Sequence, residues 1–475
     1  MLAHPEGVHP HRRVFCNRTL NLGSVKAIGY DLDYTLVHYN VRRWEGRAYE
    51  YIQRRLLEQG WPVDDLCFDP SLVMRGLVVD TECGNLLKVD RFGFVKAALH
   101  GEALLPWTVT RDRYARTVVD LADPRYDFAN TLFSLSEACM YTQLVPRLEA
   151  GRLPARLGFP ELYAHVRAAL NWTHVEGELK SEILADPDGF VELDAEMPAA
   201  LLDQKKAGKK LLLITNSDWT YARAMLDYAF DRFLPAGTTW RDLFDFAVVG
   251  ARKPFFFSER APMLRLASDD GLFEPLTGPP TEGGIFVGGH AALLERALGV
   301  SGSEILYVGD HVYTDVNVSK KLSRWRTALV LRELERELRA IEAEAADHQL
   351  VAALMTDKAR LEHEAHGLRL DLLRLREGYG PRPSSSAEAL DAALEASLRQ
   401  IRALDARLGP LLADDGQGFS KVWGLLLRAG NDKSHLLRQI ERHADIYTSR
   451  VSNLLGYTPF AYFRAPRGET PHDRR

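Results

Sequence analysis

The sequence predicts an α/β fold built on a doubly wound parallel sheet, with a mainly helical insertion and a C-terminal helical extension. Three observations predict it. Short apolar runs recur, each ending in Asp, Asn, Ser or Lys. Stretches with helical periodicity lie between several of them, the alternation that makes parallel sheets. Towards the C-terminus the texture changes to leucines at seven-residue spacing.

The first apolar run is "VKAIGYD" at 25–31. "KKLLLITNSD" at 209–218, "FDFAVVGARKP" at 244–254 and "EILYVGDHVYTD" at 304–315 repeat its form. "WTYARAMLDYAF" and "AALLERALG" read as intervening helices. In open α/β sheets ligands bind beyond the carboxyl ends of the strands, and all four polar clusters fall there. About 180 residues separate the first two runs, too many for a loop within one domain. Residues 41–194 are therefore expected to form an inserted domain, largely helical in its second half. Residues 1–40 and 195–330 make a discontinuous core. Leu354, Leu361, Leu368 and Leu375 then repeat every seven residues, with Val351, Ala365 and Leu372 on the companion positions. "GPRPSSS" interrupts the pattern, and Leu394, Ile401 and Leu408 resume it. The simplest reading of 331–415 is an antiparallel helical hairpin. Residues 416–475 are more apolar and aromatic, and are expected to pack on the core.

Composition excludes several classes. The 475 residues are 46% hydrophobic and 26% charged, as in a globular protein of two or three domains. A net charge of −5 without a long basic block argues against nucleic-acid binding. Cys16, Cys67, Cys83 and Cys139 are spaced for neither a zinc set nor a disulfide framework, which fits a reducing compartment. The N-terminus lacks the apolar stretch of a secretory signal, and no run is long enough to span a membrane. A cytoplasmic protein with no membrane partner is expected.

The polar clusters carry the chemistry. Asp31 and Asp33 are two residues apart, so they leave the strand from one face. One can attack phosphorus, and the other can protonate a leaving oxygen and then activate water. Thr215, Asn216 and Ser217 can bind phosphate oxygens through hydroxyl, amide and backbone N–H groups. Lys253 can offset the charge gathered around an aspartate and a phosphate. Asp310 and Asp315 in "GDHVYTD" bring two more carboxylates to a strand end. With Asp31 they can supply oxygen ligands to magnesium, which suits few carboxylates plus a substrate phosphate. Each cluster alone is commonplace as a turn, a helix cap or a solvated lysine. Four in this order, each closing an apolar run, form a much rarer pattern.

That pattern resembles the haloacid dehalogenase-like phosphohydrolases, with their Rossmann-like core. More narrowly, the chain resembles the cytosolic purine 5'-nucleotidases that prefer 6-oxopurine monophosphates (IMP and GMP). "GYDLDYTLVHY", "RGLVVDTECGNLLKVDRFG", "NTLFSLSEA", "TNSDWTYA", "ARKPFFFSE", "YVGDHVYTDV" and "RHADIYTSRVSNLLGYTPFAYFRA" carry the resemblance over nearly the whole chain. It implies Asp31 as nucleophile and Asp33 as acid/base, with Thr215 and Lys253 completing the catalytic set. It implies Mg2+ on Asp31, the backbone carbonyl of Asp33 and Asp310, supported by Asp315. The insertion becomes a cap that binds a purine nucleoside monophosphate through Asn130, Phe133, Arg167, His174 and Lys180, beside Asn216 and Ser217. Phosphotransfer to a second nucleoside and a homodimer or homotetramer are implied as well.

Two departures bear on the base. Ser134 follows the stacking phenylalanine where well-studied members have asparagine, and Val175 follows the cap histidine where they have tyrosine. Tyr313, Lys321, Gln439 and Arg442 fall at counterparts of a family effector site, but Asp120 stands near the place of a basic residue. The alternatives are the same chemistry on another phosphomonoester, or a scaffold protein of this fold with little catalysis.

Overall fold

The computed structural model describes residues 7–154, 156–176, 178–414 and 416–468, and at 173–176, 413 and 414 the backbone alone. Seven strands form the parallel part of a ten-stranded sheet: β1 (Ala27–Tyr30), β2 (Lys210–Ile214), β3 (Phe246–Val249), β4 (Gly284–Gly288), β5 (Ile305–Gly309), β6 (Arg326–Val330) and β7 (Ile446–Thr448). Their spatial order is β7-β6-β5-β1-β2-β3-β4. The edges are antiparallel, with Phe15–Cys16 on β7 and the hairpin Met263–Ser268/Leu272–Pro275 on β4. Every residue of β1, β3 and β5 is buried, so these strands are covered on both faces. That is why the runs read as continuously apolar and not as alternating.

The chain builds from β1 outward to β2, β3 and β4, then returns to place β5 on the other side of β1. The strand order therefore reverses at β1, and the crevice at such a reversal is where α/β sheets bind ligands. Close packing beneath it fixes one residue. A Cβ on Gly29 of β1 would lie 2.9 Å from the Tyr307 ring of β5, so glycine there lets the ring cross the strand.

Between β1 and β2 the chain leaves the sheet through His38–Tyr39 and returns through Val191–Glu192, and these two short strands pair with each other. The excursion holds α1 (Val41–Glu58), α2 (Leu135–Glu149), α3 (Phe159–Glu176) and α4 (Glu178–Ala185). Asn40 caps α1 by accepting from the Arg43 N–H at 3.0 Å. Buried Glu45 of α1 accepts from the Ser136 N–H at 2.7 Å, satisfying the N-terminus of α2. Burial pushes its carboxyl up to about 8 against the pull of those N–H donors. The insertion is mainly helical, but it also holds a five-stranded antiparallel sheet between Val78 and Phe128 that the sequence reading did not name.

The chain divides into two compact units, 1–335 with 426–475, and 336–425. The second contains α5 (Ala345–Glu377) and α6 (Ala387–Asp414), packed as a hairpin. Leu354, Leu361, Ala365 and Leu408 of the heptad lines are buried in it, and Leu368, Leu375, Leu394 and Ile401 are half-buried. Lys358 pairs with Asp405 across the hairpin at 2.6 Å. The Glu344 carboxylate accepts from the Gly416 and Gly418 N–H groups at 2.9 and 3.2 Å, which ties the segment after α6 to this unit. The first unit also holds α7 (His435–His443), which precedes β7. Among the described residues no helix is long and apolar enough to cross a membrane.

Leu212 lies at the centre of β2 with no exposed surface. Leu212→Ala is expected to destabilise the first unit by about 2–5 kcal/mol, seen as a lower urea midpoint at unchanged slope.

Candidate active site

Two neighbouring strand ends bring three carboxylates together. Asp31 follows β1, and its N–H still donates to Val308 of β5 at 2.9 Å. Asp310 follows β5. Asp315 lies on the π-helical turn Val312–Asn317, which opens directly after it. A Cβ on Gly309 would stand 2.5–2.6 Å from Asp315 side-chain atoms, so only glycine lets the turn fold back this closely. One oxygen from each of the three aspartates lies within 4.8 Å of the others, and all three residues are buried.

Lys253 partly balances them. Its ammonium is 2.7 Å from Asp31 Oδ1 and 2.7 Å from Asp315 Oδ1, and it donates to the Tyr307 hydroxyl at 3.1 Å. Asn216 clamps the lysine's backbone from both sides, accepting from the Lys253 N–H at 2.6 Å and donating to its carbonyl at 3.1 Å. Burial disfavours the Lys253 charge, but Asp31 and Asp315 reverse this and hold the group well above the usual lysine range. Burial lifts Asp31 to about 7, opposed by Lys253 and reinforced by Asp315. Burial, then Asp315 and Asp31, push Asp310 well above the carboxylate range. One ammonium among three buried carboxylates leaves an excess of negative charge.

That excess is the test for a metal. Asp310 Oδ2 is buried with no hydrogen-bond partner, an orphan of the kind that a cation satisfies. The donors are all hard carboxylate oxygens, the set that suits Mg2+ or a similar divalent ion. The residues fit a divalent cation.

Thr215 and Ser217 flank Asn216, and Asp33 follows Asp31 by two residues. The Thr215 N–H continues the sheet to Val248 at 2.9 Å, and its hydroxyl accepts from the Ser217 N–H at 3.1 Å. Asp33 Oδ2 accepts from the Ser217 hydroxyl at 2.6 Å. Lys180 of α4 donates to that same hydroxyl at 3.1 Å, so the insertion reaches the strand ends through this lysine. Phe133 is half-buried and meets Tyr34 and Trp44 edge-on, at centroid distances of 4.8 and 5.4 Å. Arg167 is held by Glu137 at 2.8 Å and Asp127 at 2.7 Å. The His174 side chain lies outside the described residues.

Comparison with known proteins decides the family. The model of the 5' nucleotidase family matches residues 14–475. The chain belongs to the 5' nucleotidase family. A 5'-nucleotidase domain-containing protein of Dictyostelium discoideum is 26% identical, over 99% of this chain and 76% of its own length. An archaeal β-phosphoglucomutase from Pyrococcus sp. strain ST 04 aligns with 65% of this chain and 87% of its own, at 12% identity and a TM-score of 0.30. A predicted phosphoglycolate phosphatase from Haemophilus somnus 129PT covers 65% and 85%, at 16% identity and a TM-score of 0.27. Scores that low carry no argument. Family membership makes the chain a phosphoric monoester hydrolase.

A second cavity, of about 730 Å3, is lined by Tyr313 and Asn317 of the turn that carries Asp315, and by residues of α7. It collects Tyr313, Lys321, Gln439 and Arg442, the four effector counterparts, with Asp120 also in its wall. Asn130, expected at the base, lines this cavity, and its amide N–H donates to the Phe128 carbonyl at 3.2 Å.

Sequence reasoning missed Arg75. It is buried, donates to the Asp310 carbonyl at 3.1 Å, and grips Glu333 through two bonds of 2.9 and 2.6 Å. It opens the stretch "RGLVVD", but its partner Asp310 is 235 positions away and no local pattern marks it. Tyr307 was missed for the same reason, since its partner Lys253 is 54 positions away; Tyr39 lies only six residues from its partner Asp33, and was missed although it stands in the quoted stretch "GYDLDYTLVHY". Gly309→Ala is expected to displace Asp315 and weaken divalent-ion binding at least about tenfold, a loss of roughly 1.4 kcal/mol readable by titration calorimetry.

Proposed function

We propose that the protein is a Mg2+-dependent 5'-nucleotidase that hydrolyses purine nucleoside 5'-monophosphates of the IMP/GMP type through an aspartyl phosphate on Asp31. The observation that carries this reading is the buried cluster of Asp31, Asp310 and Asp315 against Lys253 at the strand reversal. A divalent ion held by Asp31, Asp310 and the Asp33 carbonyl, with Asp315 behind, would supply charge neutralisation and draw the phosphate in.

Asp31 attacks phosphorus in line while Asp33 gives a proton to the leaving 5'-oxygen. Thr215, Asn216 and Lys253 hold the equatorial oxygens, whose charge needs stabilising during transfer. Asp33 then takes a proton from water, which releases inorganic phosphate and restores Asp31. A second nucleoside in place of that water would receive the phosphoryl group, the proposed phosphotransferase activity. In this reading residues 41–194 act as the cap. Phe133 stacks on the base, and Lys180 and His174 meet the ribose or phosphate. The four free cysteines support a cytoplasmic location.

A second reading, the same chemistry on a different phosphomonoester, draws support from two residues. Arg167 is already ion-paired to Glu137 and Asp127, and Asn130 lines the cavity beside α7. Phosphate release from a panel of nucleotides and other monoesters, with and without Mg2+, separates the readings.

Asp31→Asn is expected to lower kcat at least about a thousandfold, roughly 4 kcal/mol of barrier, in a steady-state phosphate assay. Full activity in that variant would refute the covalent route. Phe133→Ala is expected to weaken nucleotide binding by about 1–3 kcal/mol with a smaller change in kcat, measured as KM and as direct affinity for IMP and GMP.

A further inference from the structure

Asp33 accepts hydrogen bonds at both carboxyl oxygens. Oδ2 takes the Ser217 hydroxyl, and Oδ1 takes the Tyr39 hydroxyl at 2.6 Å. The two donors differ in freedom. Ser217 has a rotatable hydroxyl that also receives Lys180, so its hydrogen can turn aside. Tyr39 cannot do the same. Its ring is buried and wedged between Tyr34 and Trp44, at centroid distances of 5.3 and 4.5 Å. Its hydroxyl oxygen accepts from Tyr221 at 3.0 Å, and Tyr221 is buried too. With that lone pair occupied and water excluded, the Tyr39 hydrogen is committed to Asp33. Tyr39 also lies on the strand His38–Tyr39, which pairs with Val191–Glu192 where the insertion leaves and rejoins the core.

We propose that Tyr39 is a positioning residue for Asp33: it fixes Oδ1, so that Oδ2 is the oxygen that exchanges the proton with substrate. The inference rests on the mechanism proposed above. As the Asp31–phosphorus bond forms and the ester P–O bond breaks, the proton on Asp33 Oδ2 passes to the leaving oxygen. When water later bonds phosphorus and Asp31 departs, Oδ2 takes a proton from that water. Without Tyr39 the carboxyl can rotate, and the proton is no longer presented to the leaving group. A tyrosine that merely satisfied a half-buried carboxylate would affect all substrates alike.

The test is the dependence of kcat/KM on leaving-group basicity, because a good leaving group needs no proton. The full-length chain is assayed with aryl phosphates of graded phenol acidity and with IMP, as wild type, Tyr39→Phe and Tyr221→Phe. Tyr39→Phe keeps the ring. It is expected to lose roughly tenfold to a hundredfold in kcat/KM on the most basic leaving groups, and less than about threefold on p-nitrophenyl phosphate. Tyr221→Phe, which removes the bond that holds and polarises the Tyr39 hydroxyl oxygen, should tilt the series the same way by a smaller factor. Uniform loss across the series, or no loss, overturns the proposal. Should Tyr39→Phe fail to fold, Tyr221→Phe decides, and an unchanged slope there overturns it. A wild type that turns over the aryl esters but no nucleotide refutes the substrate reading alone, and the aryl series still judges Tyr39. A wild type that turns over neither overturns both.

Discussion

The ammonium of Lys253, buried between Asp31 and Asp315 at 2.7 Å from each, is the interaction on which the site depends. A buried ion pair is favourable only where hydrogen bonds and geometry offset the loss of water. Here the support is extensive. Tyr307 receives the ammonium, and Asn216 holds the backbone below it. Gly29 leaves room for the Tyr307 ring, and Gly309 leaves room for Asp315. Two glycines, a tyrosine and an asparagine from three strands, β1, β5 and the end of β2, therefore serve one charge arrangement. The arrangement is still one cation short, and the unpartnered oxygen of Asp310 marks where the deficit falls. The fold holds like charges together before any ligand arrives, the preorganisation that a highly charged phosphoryl group requires.

The same logic explains Arg75. It comes from the insertion, yet its guanidinium bonds the Asp310 carbonyl and is neutralised by Glu333. Its second contact with Asp310, to Oδ2, is at 4.0 Å, too long for a hydrogen bond. The arginine fixes the backbone of the acidic turn and leaves the carboxylate oxygen available.

The core was legible in the sequence because its signal is local. A strand buried on both faces must be continuously apolar, and a strand end that holds a ligand must turn polar within two or three residues, so "AIGYDLD" and "LYVGD" show both properties. The heptad leucines were legible for a similar reason, since one face of a long helix must stay apolar. The antiparallel sheet between Val78 and Phe128 was not. Its strands are short, and β-pairing is set by partners far along the chain, so no single period announces it. Arg167 and Asn130 show the corresponding gap within the site. Residue type and family likeness suggest both as base readers, while the Glu137 and Asp127 partners of Arg167 come from other elements that no local pattern marks. The segment 416–425 shows it for domain limits: it falls in the second unit, with the Gly416 and Gly418 N–H groups on the Glu344 carboxylate, a partner that sequence texture does not show.

The placement of the insertion has a mechanical consequence. It begins a few residues after Asp33, and its two crossings pair as His38–Tyr39 with Val191–Glu192. That ribbon is the covalent route by which the inserted segment leaves and rejoins the sheet. The ribbon carries the Tyr39 hydroxyl bonded to Asp33, and α4, only a few residues before the return crossing, carries the Lys180 ammonium bonded to Ser217. One oxygen of Asp33 is thus bonded by the ribbon that leads into the insertion, and the other is linked to the insertion through Ser217. Asp31, by contrast, is held by Lys253 and the sheet, which the insertion does not carry. The two carboxylates that stand two residues apart in sequence therefore have different supports, Lys253 and the sheet for Asp31 and the Ser217 and Tyr39 hydroxyls for Asp33. In the mechanism proposed above, the attacking carboxylate is thus held by Lys253 and the sheet, while the proton-transferring one is also bonded to the ribbon through which the insertion joins the core.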